Sequence, residues 1–486
     1  MPSEKELLKP KSYVNIIMKL LIGTLLKKKR SSMAMTKNKK ATYILICILA
    51  AALLGSGGWY FKILFENEKP MLDVQPLPAY LARDQKITVK LDDRIRGLRN
   101  LKLVLKQQNR EILIHEESFP FVGLLNKEGT HHFEKEFAVD PVNLKLIQGQ
   151  VELVVQARDY SRVDNGNGNE GLVKHMLMVD TTPPSIQPLS RNLYVNKGGT
   201  GLVIYQVSTD TLTSGVFVNN LFFPGFPADQ NVHKDVYVSY FAVPPDTGNN
   251  PYVYLWAKDQ AANESKLSFA YHIRPKKFRE DKMEISDTFL TNVLPYFSFY
   301  LTNPEESAID KYLKINKELR KENHATLIEL SQKSDPAQLW QGSFLRFANS
   351  SPMAGFADRR SYIYQGKKVD EQTHLGVDLA STANAKVEAA NNGRVVLADR
   401  LGIYGLAVMI DHGQGIFSLY GHLSKIEVQL NQEVKKGETI GFSGQTGLAG
   451  GDHLHFSMIV NGVFVDPLEW WDEHWIRDNI TSKLQQ

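Results

Sequence analysis

The stretch "GGDHLHFSMIV" occupies residues 450–460 and places His453 and His455 two residues apart, directly ahead of an apolar run. Side chains alternate across a strand, so on a strand the two imidazoles share one face. On a helix they would diverge by about 200° and could not serve one site. Gly450 and Gly451 in front and "FSMIV" behind favour the strand. A lone His-x-His is commonly an accident of a strand edge. Its meaning depends on what the surrounding sequence supplies.

After residue 350 the chain runs through short segments punctuated by glycine: "AKVEAANNGRVVLADR" (385–400), "LAVMIDHG" (406–413), "GIFSLYGHL" (415–423) and "QEVKKGETIGFSG" (432–444). This pattern predicts a compact antiparallel β domain over 345–478. Within it, "THLGVDLA" (373–380) supplies His374 and Asp378, and "YGHLS" (420–424) supplies His422. Imidazole nitrogen and carboxylate oxygen are standard zinc ligands, and a catalytic zinc takes three of them and leaves a fourth position for water. His374, Asp378 and one histidine of the pair make such a set. His422 and the other histidine remain to orient water and stabilise an oxyanion. The sequence has no His-Glu-x-x-His helix, so the general base common in metalloproteases is absent and histidine has to serve.

"HLGVD", "YGHL" and "HLHF", in this order and with the glycine-rich "VKKGETIGFSGQTGLAGGDHLHF" (434–456) between the last two, resemble the lysostaphin-type (LytM-like) zinc metallopeptidases that cut peptidoglycan peptides. The resemblance covers about residues 350–475. It implies that His374, Asp378 and His455 are the metal ligands and that His422 and His453 are the catalytic histidines. It also implies a zinc cofactor, a peptidoglycan substrate and a small antiparallel β core with a groove for an extended peptide. None of these five positions is substituted.

Upstream, residues 70–275 read as β. Alternating runs such as "NLKLVLKQQ" (100–108), "QVELVVQARD" (150–159) and "DVYVSYFAV" (235–243) are separated by turn clusters. "VELVVQARDYS" (151–161) is echoed 100 residues later by "YVYLWAKDQAANES" (252–265). Such a period suits two immunoglobulin-like β-sandwich modules, 70–182 and 183–275. Pro183 and Pro184 in "VDTTPPSI" cannot extend a ladder and mark the seam between them. Residues 280–340 read as a helical connector. Asn303 serves as the expected cap, Pro304 as the first helical residue, and Glu305 and Glu306 lie in the first turn. A sharper reading makes this segment a regulatory arm over the neighbouring site.

The 486 residues are 43% hydrophobic and 23% charged, enough for about three domains. The net charge of +4 is uneven: the first 40 residues carry +9, so the remainder carries −5. That argues against nucleic-acid binding by the folded part. The single cysteine, Cys47, permits no intrachain disulfide. It lies in an uncharged run, 41–61, whose roughly 21 helical residues span about 30 Å, a bilayer core. The basic tail 1–40 precedes the run, and Trp59, Tyr60 and Phe61 close it as an interfacial belt. A single-pass helix over 41–65 in the inner (cytoplasmic) membrane, with the bulk of the chain outside the cytoplasm, is the resulting expectation. "GSGG" (55–58) leaves signal cleavage as an alternative, and translation from Met33 or Met35 would shorten the tail.

The remaining histidines read as unspecialised. His412 is expected at a turn, and His131 and His132 on the surface or in a loop. His115, His175, His233, His272, His324 and His474 stand alone. "DPLEWWDEHW" (466–475) reads as aromatic packing at the end of the domain. Together these readings point to a mainly β, membrane-anchored zinc endopeptidase of the cell wall, with envelope partners reached through the sandwich modules. Two alternatives belong to other classes: a non-catalytic activator of other wall hydrolases, and a wall-binding scaffold. A glycine bridge, a D-Ala–diaminopimelate cross-link and a stem peptide are all compatible with the motifs.

Overall fold

Strands dominate the chain, and they form where β-branched and aromatic residues alternate with polar ones. The computed structural model describes residues 37–83, 85–191, 193–228, 235–248 and 250–485. Most of the basic tail, both alternative start methionines and His233 lie outside the described residues.

Two units are separable, Met1–Ala79 with Asp84–Met178, and Tyr80–Arg83 with Val179–Gln486. The first holds the helix Lys37–Leu64, whose segment Lys39–Leu64 is long and apolar enough to cross a membrane. Its large apolar side chains, among them Ile44, Leu45, Leu53 and Trp59, are exposed. Burying them in lipid rather than in protein fits a membrane anchor. In the same unit Gln85–Asp92 pairs antiparallel with Met71–Gln75 and His132–Val139, and Leu98–Gln107 lies between Arg110–Ser118 and Gly149–Asp159.

The second unit opens with two four-stranded sheets. Thr200–Val207 and Val236–Ala242 are the inner strands of one, and Thr211–Val218 and Val253–Asp259 of the other. Side chains from both, including Val203, Tyr205, Val216 and Leu255, share one core. The internal echo in the sequence has a local physical basis. Strands Gly149–Asp159 and Val253–Asp259 both end on a buried aspartate that ties down the following turn. Asp159 accepts from the Ser161 and Asn169 amides, and Asp259 from the Asn263 amide.

The C-terminal region is built on an eight-stranded sheet. Its central strands are Val377–Ala380, Leu454–Val460, Ile416–Leu423 and Leu406–Asp411, neighbours in that order. Leu454–Val460 is buried along its whole length because the sheet is covered on both faces. His412, expected at a turn, lies where the strand Leu406–Asp411 runs into one, and it is fully buried there. Its Nδ1–H donates to Asn392 O at 2.7 Å, and Nε2 lies 2.7 Å from Ser418 Oγ. The two partners satisfy the ring, which is why it can be buried.

The connector differs from its expected form in two ways. It opens with a strand, Glu280–Ile285, before the helices Asp287–Val293, Ala308–Lys314 and Arg320–Leu330. The helix expected to start at Asn303 begins at Ala308. Ser307 caps it through Oγ, which accepts from the Asp310 amide at 3.2 Å and donates to the Asp310 carboxylate at 2.6 Å. Asn303 instead holds a turn, accepting from the Glu305 amide. The reciprocal Ser307–Asp310 arrangement supplies two bonds where Asn303 supplies one, and it fixes the start.

The segment 466–475 packs as expected. Trp470 is fully buried against Trp340 and Phe344. Beside it Glu469 accepts from Asn196 Nδ2 and the Thr200 amide, both at 2.8 Å, joining this end of the domain to the sandwich within the same unit. Burial pushes the Glu469 carboxyl up to about 7. The folded state therefore holds a proton that the unfolded chain releases near pH 4.5, so stability falls as pH rises through that window. A shift of this size corresponds to on the order of 3 kcal/mol. The detergent-solubilised chain should melt lower at pH 8 than at pH 6. Glu469→Gln cannot ionise, although its amide keeps one acceptor for the two donors; it should flatten that pH difference in a thermal melt, on a lower baseline.

Candidate metal centre

The motif residues meet through strand register. Asp378 on Val377–Ala380 sits directly opposite His455 on Leu454–Val460, and His455 on its other side sits opposite Gly421, one residue before His422. His374 arrives from the loop before Val377. Its amide donates to Asp358 O at 2.9 Å, its carbonyl accepts from the Ala357 amide, and its Nδ1–H donates to Gly355 O at 2.8 Å. Gly376 is required where it stands. A Cβ there would lie 2.5 Å from His455 Nε2 and 2.6 Å from Ser457 Oγ, closer than any side chain tolerates.

Hydrogen bonds outside the cluster fix which atoms face inward. Because His374 Nδ1 carries its proton toward Gly355 O, Nε2 presents a lone pair. Ser457 Oγ donates to Leu375 O, so it accepts from His455 Nε2–H, and His455 Nδ1 presents a lone pair too. Asp378 Oδ1 lies 3.0 Å from His374 Nε2 and 2.9 Å from His455 Nδ1, while the two nitrogens are 3.1 Å apart. Three acceptors thus converge with no proton assigned among them, an arrangement a cation resolves. His374, Asp378 and His455 are also a group whose donor atoms all lie within 4.8 Å of one another. The donor set of two imidazole nitrogens and one carboxylate suits a zinc-sized divalent ion.

The other two histidines flank this cluster. The His453 ring lies 4.8 Å from that of His422, and the His422 ring lies 5.8 Å from that of His455. Nδ1–H of His422 donates to Thr446 O and Nδ1–H of His453 to Gly451 O, each at 2.8 Å, leaving both Nε2 atoms available. His453 Nε2 is 3.6 Å from Asp378 Oδ1, beyond the reach of the tight cluster. Asp452 anchors the loop carrying His453, accepting from Ser443 Oγ and the Asn384 amide. His422 has a backbone φ of +62°, the left-handed region that non-glycine residues rarely occupy. Burial holds the His422 imidazole well below its ordinary range. Burial also opposes a charge on His453, but the Asp378 carboxylate outweighs it and the net direction is up. The same competition at Asp378, where burial opposes ionisation and the surrounding histidines favour it, leaves its carboxyl well below the usual range.

All five residues line one cleft of about 430 Å³. His374, Asp378, His422 and His455 are each less than a tenth exposed. Phe289, Tyr312 and Arg320 of the connector form part of the cleft wall, a contribution the motifs give no hint of. Sequence reasoning also missed Arg360, whose Nη2 donates to Asp378 Oδ2 at 2.8 Å. It lies 14 residues before the first motif residue, and no spacing rule singles it out.

The C-terminal domain matches peptidase family M23 over residues 372–467. The chain is 42% identical over 95 residues to the DD-carboxypeptidase/endopeptidase Mpg of Neisseria meningitidis, which covers 20% of this chain and 22% of that protein. It is 40% identical over 96 residues to the peptidoglycan DD-endopeptidase ShyA of Vibrio cholerae, covering 20% and 22%. It is 36% identical over 95 residues to the murein hydrolase activator EnvC of Escherichia coli, covering 20% and 23%. The chain thus spans under a quarter of the length of these relatives. Among solved structures, the chain is similar to the catalytic domain of lysostaphin from Staphylococcus simulans, at 30% identity and a TM-score of 0.22, covering 25% of this chain and 92% of that one.

Proposed function

We propose that this chain is a zinc metalloendopeptidase, anchored in the inner membrane by the helix within 41–65, that hydrolyses peptide bonds in peptidoglycan outside the cytoplasm. One observation carries the reading: three lone pairs, from His374, Asp378 and His455, converge with two further imidazoles beside them in one cleft. A zinc ion held by those three residues would polarise a peptide carbonyl and make water a competent nucleophile near neutral pH. His422 and His453, each tied through Nδ1–H to a backbone carbonyl, keep Nε2 for the substrate side. There they take up and return the proton of the attacking water and hold the developing oxyanion. The peptidoglycan endopeptidases among the relatives support the substrate class, and we favour the D-Ala–diaminopimelate cross-link. Envelope partners would bind through the two sandwich modules, 70–182 and 183–275.

A second reading, as an activator of other hydrolases, draws on the likeness to EnvC and on the buried state of the site. Detergent-solubilised full-length chain incubated with sacculi and zinc separates the two. The peptidase reading expects cross-linked muropeptides to disappear, as followed by mass spectrometry. Full metal loading with no muropeptide change, together with rescue of a deletion strain by His455→Ala, would sink it in favour of the activator.

A further inference from the structure

Asp378 has two carboxylate oxygens, and they are used differently. Oδ1 faces His374 Nε2 and His455 Nδ1, whereas Oδ2 receives Nη2 of Arg360 at 2.8 Å. The Arg360 side chain is 16% exposed, and among the described residues Asp378 is its one ion-pair partner. Its Nε is buried and makes no hydrogen bond. A buried guanidinium with one carboxylate partner and an unsatisfied donor is a poor stabilising device, because desolvation offsets most of the attraction. It is a good orienting device: a charge-assisted bond to one oxygen fixes the carboxylate rotation and leaves the other oxygen as the sole donor to a metal.

The placement of Arg360 comes from far upstream. Its strand, Arg359–Tyr364, pairs in parallel with the connector strand Glu280–Ile285, with Asp281 opposite Arg360. On the other side it pairs with Lys367–Thr373, which leads directly into His374. The connector grips this hairpin a second time, where Asn316 Nδ2 donates to Asp370 Oδ2 at 2.7 Å. Resting on the zinc reading above, we propose that Arg360 is a positioning residue that sets Asp378 for the metal, and that the connector strand Glu280–Ile285 belongs to the metal site through it.

The test uses the full chain in detergent with Arg360→Gln and Arg360→Lys. Zinc affinity is measured by competition with a chelating dye, and kcat and KM on a cross-linked muropeptide. Arg360→Gln should lose about 10–100-fold in zinc affinity, with kcat falling and KM little changed. Arg360→Lys keeps the charge but not the planar fork, and should lose less, still several-fold. A purely structural role would lower the melting temperature and leave zinc affinity of the folded protein untouched. Folded Arg360→Gln with wild-type zinc affinity overturns the proposal. Should that variant not fold, wild-type affinity in Arg360→Lys overturns it instead. A wild-type chain that binds no zinc defeats the zinc reading and this inference with it, whereas unchanged variants of a zinc-binding, active chain defeat this inference alone.

Discussion

His455→Ala should leave purification without zinc and release nothing from sacculi. His455 sits at the centre of the site: Asp378 is its cross-strand partner on one side, and Gly421, next to His422, on the other. Its Nδ1 is one of three inward lone pairs, and Ser457 holds the ring in that orientation. Removing it leaves two donors, His374 Nε2 and Asp378 Oδ1, which are too few for the three-ligand set of a catalytic zinc. The loss should exceed the 10–100-fold typical of partners outside the ligand set. Metal content by mass spectrometry decides the matter, and a stoichiometric metal in folded His455→Ala would refute the assignment.

The second large effect separates the pair. His453→Ala should keep its zinc and lose turnover by about 10²–10⁴, the range for removing a positioned acid–base group or an oxyanion donor. Just ahead of the strand Leu454–Val460, where it forms an isolated bridge with Gly444, His453 stands 3.6 Å from Asp378 Oδ1, where His455 on the strand stands at 2.9 Å. Its Nδ1–H is spent on Gly451 O, so Nε2 alone is left for the substrate. Metal content and muropeptide release measured on the same preparation distinguish the two variants. Equal metal loss in both would end the proposed division of labour.

What could be read from the sequence follows from how local each constraint is. A period of two puts His453 and His455 together from the sequence alone, and short glycine-marked strands announce a β domain. The structure brings His374, Asp378 and His422 to the same cleft because Val377–Ala380, which carries Asp378 and follows His374, and Ile416–Leu423, which carries His422, flank the strand of His455 on either side. Arg360 escaped because its role depends on a parallel pairing with a strand some 80 residues upstream, and no local pattern encodes such a pairing. Asn303 misled because Asn-Pro-Glu-Glu satisfies the local rules for a helix start, while Ser307 and Asp310 satisfy each other better. The turn at His412 was legible, but its burial was not, because only the fold shows Asn392 and Ser418 waiting for both its nitrogens.

The left-handed backbone at His422 sets the fold and the chemistry against each other. A non-glycine residue at φ +62° carries a conformational cost of order 1–3 kcal/mol. Glycine or asparagine would relieve it. Random mutagenesis scored only for heat resistance should therefore enrich His422→Asn, which relieves the backbone without emptying the buried site, and on the proposed reading each survivor would be a sturdier protein without turnover. Breeding a more durable version of this chain thus requires selecting for turnover at every round.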